Sequence, residues 1–189
     1  MADHWAEKVE DWTATSTGTD RHTHTPYYVR ITRDGKPDEG YLRTLANDGP
    51  TLDERNIIDA GFLELVRLGI KPADDPIIRN SVAEVDDTIR VEAGDGAGFY
   101  RYNGDGYGER ERGDKGAPWS VEYSGKGRLW PLLTGERGEY ELLAEDPDIG
   151  AMNCLKTIQQ SANSGRMIAE QVWDRDVKTD YDWEFGQGT

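Results

Sequence analysis

The chain has 189 residues, enough for one domain with a real core, and a formal charge of −15 from 37 acidic and 22 basic side chains. So acidic a surface has no basic stripe to displace counterions from phosphate, which excludes nucleic acid and anionic membrane as partners. No apolar run is long enough to span a bilayer, no signal-peptide core opens the chain, and the single cysteine, Cys154, excludes an internal disulfide.

A reducing, cytoplasmic location is the expectation that follows from that cysteine usage. Only seven of the basic residues are lysines, and abundant carboxylates with few lysines suit a protein kept hydrated in concentrated salt, a halophile's surface.

Along the chain, residues 5–12 read as the end of a helix, and 15–25 as a Thr-rich loop. Segments 27–32 and 41–45 alternate like strands and predict a hairpin turning at Asp34-Gly35. Thr51 and Glu54 have capping-box spacing, and Ile58, Phe62, Leu65 and Val66 share a helical face that Gly69 and Pro72 end. Asp75-Pro76 starts a second helix with Ile78, Val82 and Val85 turned inward. Residues 92–127 are rich in Gly, Asp and aromatics (Phe99, Tyr100, Tyr102, Tyr107, Trp119, Tyr123) without helical period, the mark of an ordered functional loop. A helix spans 129–144, weakened by Gly135 and Gly138. Asp146-Pro147 then starts another, with Met152, Leu155, Ile158 and Ala162 as its apolar stripe and Gly165 as its end. The polar, aromatic tail from Asp174 carries no stop signal. The rhythm is one of antiparallel helix pairs with large loops at one end.

Residues 163–174 hold Glu170 in a short apolar frame beside Gln171, Trp173 and Asp174. A carboxylate among apolar and indole groups is pushed toward proton exchange near neutral pH, and an indole offers a flat face to a sugar ring. Taken alone, the segment is equally a helix end with solvated carboxylates. In the loop 99–109, Arg101, Asn103 and Asp105 can bond vicinal hydroxyls while Tyr102 and Tyr107 cover apolar sugar faces. The bland alternative is an Asp/Gly turn. A calcium loop matches poorly, because Tyr107 stands at the third ligand position and Asp114 replaces the final glutamate. Glu136 and Arg137 sit beside helix-weakening glycines and could serve a site; the plainer reading makes Glu136, Arg137, Glu139 and Glu141 a solvated helix face. Leu132, Leu133 and Tyr140 read as core, His22 and His24 as solvated, and Cys154 as a buried inert thiol. No nucleophile elbow or phosphate loop is present.

Four blocks occur in order: GFLELVRLGIKPADDP (61–76), FYRYNGDGYGE (99–109), GRLWPLLTGERGEYEL (127–142) and ANSGRMIAEQVWD (162–174). Together they resemble the second half of the catalytic domain of prokaryotic glucoamylases and glucodextranases, glycoside hydrolase family 15, across nearly the whole chain. The resemblance implies an all-α fold: residues 1–189 as part of an (α/α)6 toroid of helical hairpins, with a small β-hairpin and long loops. It implies inverting exo-hydrolysis of α-glucosidic bonds of the glucan 1,4-α-glucosidase type, with no cofactor and no metal. Glu170 matches the general base of a Pro-Glu-Gln-Val-Trp-Asp motif, with Ala169 in place of the proline. Arg101 matches the arginine that grips the sugar at the cleavage point, and Trp130 a tryptophan beside the slot; Asp105 and Trp173 complete the expected substrate-binding set.

The family's general acid, in a Trp-Glu-Glu-type motif, and its Trp-Pro-Arg-Asp-type clamp lie upstream of the matched region. The expectation is therefore a fragment truncated at both ends. Its partners would be an α-glucan or maltooligosaccharide and the other half of the domain. Alone it would be nearly inactive and marginally folded. A non-catalytic saccharide-binding or interaction module is the alternative, and an unrelated acidic helical protein with a calcium loop is a third.

Overall fold

The helix expected over 5–12 is α1 (Ala2–Thr13), the first element of a computed structural model that describes residues 2–93, 96–110 and 125–174. Trp5 and Trp12 meet edge to face on its exposed side, ring centroids 6.3 Å apart. The chain leaves α1 directly into β1 (Ala14–Thr15), which pairs antiparallel with β2 (Tyr27–Tyr28).

This pairing replaces the hairpin expected between 27–32 and 41–45. Tyr27 and Tyr28 are both buried, and the Tyr28 amide donates to Ser81 Oγ at 2.8 Å, so burial fixes the strand's partner. Gly35 does adopt the left-handed conformation (φ 73°), but it lies against the Trp12 ring and turns no hairpin. The segment 41–45 pairs forward instead: β3 (Leu42–Thr44) with β4 (Thr51–Asp53), the Leu45 amide donating to the Pro50 carbonyl at 3.0 Å.

Thr51 therefore lies in a strand and forms no capping box. Glu54 is buried and takes Arg43 Nη2 at 2.9 Å and the Arg33 amide at 2.9 Å. The helix that follows is the short α2 (Leu63–Arg67), and Gly69 ends it at φ 69° as expected. Ile58, Phe62 and Val66 are core residues as their spacing implied, although only the last of them is helical.

The Asp75 cap is where the sequence placed it. Its carboxylate accepts from the Ile77 amide at 2.8 Å, with Pro76 opening α3 (Pro76–Thr88). Ile78, Ser81, Glu84 and Val85 form the buried face. Glu84 bonds His22 Nδ1 at 2.6 Å and the His24 amide at 2.8 Å. His22 is thus buried, contrary to the solvated reading, because a carboxylate on the inner face of α3 needs a partner there.

Part of the expected long loop is sheet: β5 (Arg90–Ala93) pairs with β6 (Gly96–Phe99), and β7 (Glu109–Arg110) with β8 (Gly125–Lys126). Trp119, Tyr123, Asp114 and the tail beyond Asp174 lie outside the described residues. The described residues thus hold five α-helices and four two-stranded antiparallel pairs, rather than one small hairpin.

The helix expected over 129–144 is α4 (Pro131–Leu143), packed on α5 (Ala151–Gln160). Gly138 is the point of closest approach: a Cβ there would meet Cys154 Cβ at 3.1 Å. The inward side of α4 carries Arg137 and Glu141, both buried, which corrects the solvated-face reading. Arg137 donates to Glu141 at 2.7 Å and through both terminal nitrogens to Asp86 on α3 at 2.7 and 2.9 Å. Glu141 also accepts the Ile149 and Gly150 amides, so α5 starts at Gly150 (φ 82°) and not at Asp146-Pro147.

The inward face of α5 carries Cys154 and Thr157. Of the expected apolar stripe, Met152 and Leu155 are 63% and 57% exposed and face outward, while Ile158 and Ala162 are half-buried, Ile158 lying against Gly135 of α4. Burial pushes the Cys154 thiol up, as suits an inert core cysteine. Leu132, Leu142 and Leu143 are likewise exposed on α4.

A groove of about 300 Å³ between α2 and α4 is lined by Leu63, Val66, Tyr140, Leu143 and Glu136 among others. Burial, and then the neighbouring Glu64 carboxylate, push the Glu136 carboxyl above its usual range. A carboxyl raised on folding stabilises the fold at pH below its unfolded value, and that contribution is lost as pH rises through the folded one. Glu136→Gln is therefore expected to raise the melting temperature at neutral pH and leave it unchanged in acid, in melts followed by circular dichroism.

Candidate functional site

Three segments far apart in sequence meet in one short ladder. Leu129 bridges Tyr100 on one side and Val172 on the other, both antiparallel. The Leu129 and Val172 amides donate to each other's carbonyls at 3.2 and 2.9 Å, and the Trp130 amide donates to the Phe99 carbonyl at 2.9 Å. Arg101 and Trp130 thus lie one residue from the ladder, and Glu170 two residues from it. The buried side chains of Phe99 and Leu129 hold the ladder to the core.

Arg101 is held on all sides. Its Nε and Nη2 donate to the two oxygens of Asp105, each at 2.8 Å. Its guanidinium carbon lies 4.9 Å from the Trp130 ring centroid and 5.2 Å from those of Tyr102 and Tyr107. Burial alone would lower its ionisation, but the Asp105 hydrogen bonds outweigh burial and hold the guanidinium above its usual range. Arg101 is a permanent cation on an aromatic platform. Asp105 also accepts the Tyr107 amide at 3.0 Å, so both of its oxygens are engaged within the loop. Asp105 thus has a structural task within the loop, holding Arg101, beside the hydroxyl-binding role expected of it. Asn103 is tied as well, between the Ile58 amide and the Asn56 carbonyl.

Trp130 stands at the start of α4, its ring 6.2 Å from that of Tyr107. Its Nε1 is buried with no hydrogen-bond partner among the described residues. Glu170 is exposed, so the apolar frame expected around it is open to solvent. Its neighbour Gln171 is fixed, accepting from the Arg128 amide at 2.7 Å and donating to the Tyr107 carbonyl at 3.0 Å. Trp173 lies under the Arg128 guanidinium, 4.6 Å from its carbon. Arg128 also bonds Asp174 at 2.8 Å and Glu109 through Nε at 2.6 Å. Sequence reasoning did not single out Arg128. Nothing in its local pattern separates it from a solvated arginine.

A cleft of about 470 Å³ lies beside this loop, lined by Asp48, Thr88, Tyr100, Tyr102, Asp105 and Lys126 among others. Of the predicted site it includes only Asp105. Its volume is a poor guide to the chemistry here, because the carboxylate and amide it borders are already satisfied within the protein. The Arg101–Trp130–Glu170 side is the stronger candidate.

Comparison with known proteins identifies the family. Residues 1–180 match glycosyl hydrolases family 15. A glucoamylase from Clostridium sp. (strain G0005) is 43% identical over 173 residues, a span covering 92% of this chain and 23% of that protein. A solved crystal structure of a bacterial glucoamylase complexed with acarbose superposes with a TM-score of 0.80 at 43% identity, over 92% of this chain and 24% of that one. The chain thus spans about a quarter of the length of these relatives. The chain belongs to glycosyl hydrolases family 15.

Proposed function

We propose that this chain supplies the base-carrying half of an inverting, exo-acting α-glucosidase site of the glucan 1,4-α-glucosidase type. The observation that carries the reading is the Tyr100–Leu129–Val172 ladder, which gathers Arg101, Trp130 and Glu170 from three separate segments. Likeness to a glucoamylase complexed with acarbose supports an α-glucan or maltooligosaccharide as the ligand.

Inverting hydrolysis needs two carboxyl groups about 6.5–9.5 Å apart with a water between the base and the anomeric carbon. Glu170, exposed and unencumbered, takes the proton of that water. Arg101 holds the sugar at the cleavage point, Trp130 presents a flat face to its rings, and Trp173 offers only the face turned away from Arg128. The general acid that protonates the leaving oxygen comes from a separate segment, the other half of an α/α toroid. That half also covers the exposed leucines of α4 and the outward Met152 and Leu155 of α5. The 189 residues alone therefore turn over maltose and starch weakly or not at all.

The exposure of Glu170 also favours a second reading, a saccharide-binding module without turnover. Calorimetric titration with acarbose tests the binding that both readings share. Wild type is expected to bind, and Arg101→Ala to bind at least about tenfold more weakly, since one charge-assisted anchor contributes roughly 1.5–3 kcal/mol. Failure of the wild-type chain to bind acarbose would remove both. Hydrolysis of maltose by the chain mixed with a polypeptide carrying the acid motif separates them.

A further inference from the structure

We infer that Arg128 is the positioning residue that sets the direction of the Glu170 segment, acting as one charged pin through three strands of chain. This deepens, and rests on, the reading of Glu170 as base.

The Arg128 side chain is only 11% exposed, and it faces two carboxylates that are themselves buried, Glu109 at 12% and Asp174 at 5%. Nε and Nη2 reach Glu109 at the end of the aromatic loop. Nη1 reaches Asp174, four residues past Glu170, at 2.8 Å. The other Asp174 oxygen takes the Tyr100 hydroxyl. The flat side of the guanidinium covers Trp173, and the Arg128 backbone amide donates to Gln171. Residues 171, 173 and 174 are thus all attached to Arg128, while Gln171 also reaches the Tyr107 carbonyl beside Trp130.

Glu170 itself makes no such bond among the described residues. Its direction is inherited from the residues that follow it. Only a planar fork can address two carboxylates and a ring face at once; a lysine, a flexible point charge, cannot. Taking the guanidinium away leaves Glu109 and Asp174 repelling each other, which favours release of 170–174 from the ladder.

The test uses the full chain and three variants: Arg128→Gln, Arg128→Lys and Asp174→Asn. Amide hydrogen exchange reads the ladder directly. All three variants are expected to speed exchange at Leu129 and Val172 by about tenfold or more while α4 and α5 keep their protection, the mark of local opening. Acarbose titration is expected to weaken in step, with Arg128→Lys giving no rescue. Unchanged exchange at Leu129 and Val172 would overturn the inference. So would full recovery by lysine, which would make the role one of charge alone. Loss of protection throughout α4 and α5 in all three variants would equally overturn it, by making Arg128 an element of global stability. If the wild type does not bind acarbose, the functional reading falls while the exchange measurements still decide whether Arg128 pins the segment.

Discussion

Arg137→Ala is expected to destabilise the chain by about 3–5 kcal/mol, enough to consume much of a typical domain's stability. The guanidinium is buried and bridges Asp86 on α3 and Glu141 on α4. Its own burial opposes its charge, but the paired carboxylates outweigh that and hold it firmly protonated. Truncation would leave Glu141 without its cation and Asp86 with only Arg90 Nη1 at 3.4 Å. Glu141 also receives the two amides that precede α5, so the α4–α5 connection should loosen together with α3. The melting temperature is expected to fall by roughly 6–20 °C for a chain of this size. Arg137→Lys should recover only part of the loss, because one ammonium cannot reproduce the two-carboxylate fork. A melt within a few degrees of wild type would mean that α3 and α4 are held together by apolar packing alone.

Glu170→Gln carries the largest expected effect on chemistry. In an assembled enzyme containing this chain and its acid-bearing complement, the substitution is expected to lower kcat on maltose by about 10²–10⁴-fold. KM should change little, because the amide keeps the shape of the carboxylate and Glu170 makes no bond that organises the site. The same variant should bind acarbose nearly as well as wild type. That split between turnover and binding distinguishes a proton acceptor from a substrate-holding group. An assembled enzyme as active with glutamine as with glutamate would assign the base elsewhere.

The three candidate segments stand out in the sequence because each joins residues whose chemistry is unusual for a bland surface. An arginine among tyrosines, a tryptophan before a helix-starting proline, and a glutamate followed by Gln-Val-Trp-Asp are local facts. Their roles relative to one another were not. Asp105 was read as a free ligand for hydroxyls and is bound to Arg101 through both oxygens. Arg128 passed as one more charged residue and proves to be the best-connected cation of the site. A guanidinium four residues from a carboxylate can be solvated or sandwiched. Which of these occurs depends on what packs above it.

The same distinction runs through the fold. Helix ends were readable wherever backbone chemistry is local: Asp75-Pro76 begins a helix because the carboxylate and the ring satisfy its first turn, and Gly69 ends one because it alone takes the left-handed turn without strain. Strand partners and inward faces were not readable. The tyrosines at 27–28 pair backward onto β1, and Met152 and Leu155 of α5 face outward although their stripe looked apolar enough to be core. Sequence by itself determined the family, the Asp75 cap, the Gly69 stop and the chemical vocabulary of the candidate segments, because these depend on residue identity and short spacing. Tertiary structure alone decided which charges are buried in pairs, which apolar side chains stay open and which segments meet at Leu129, because desolvation and contact are properties of neighbours brought together only by folding.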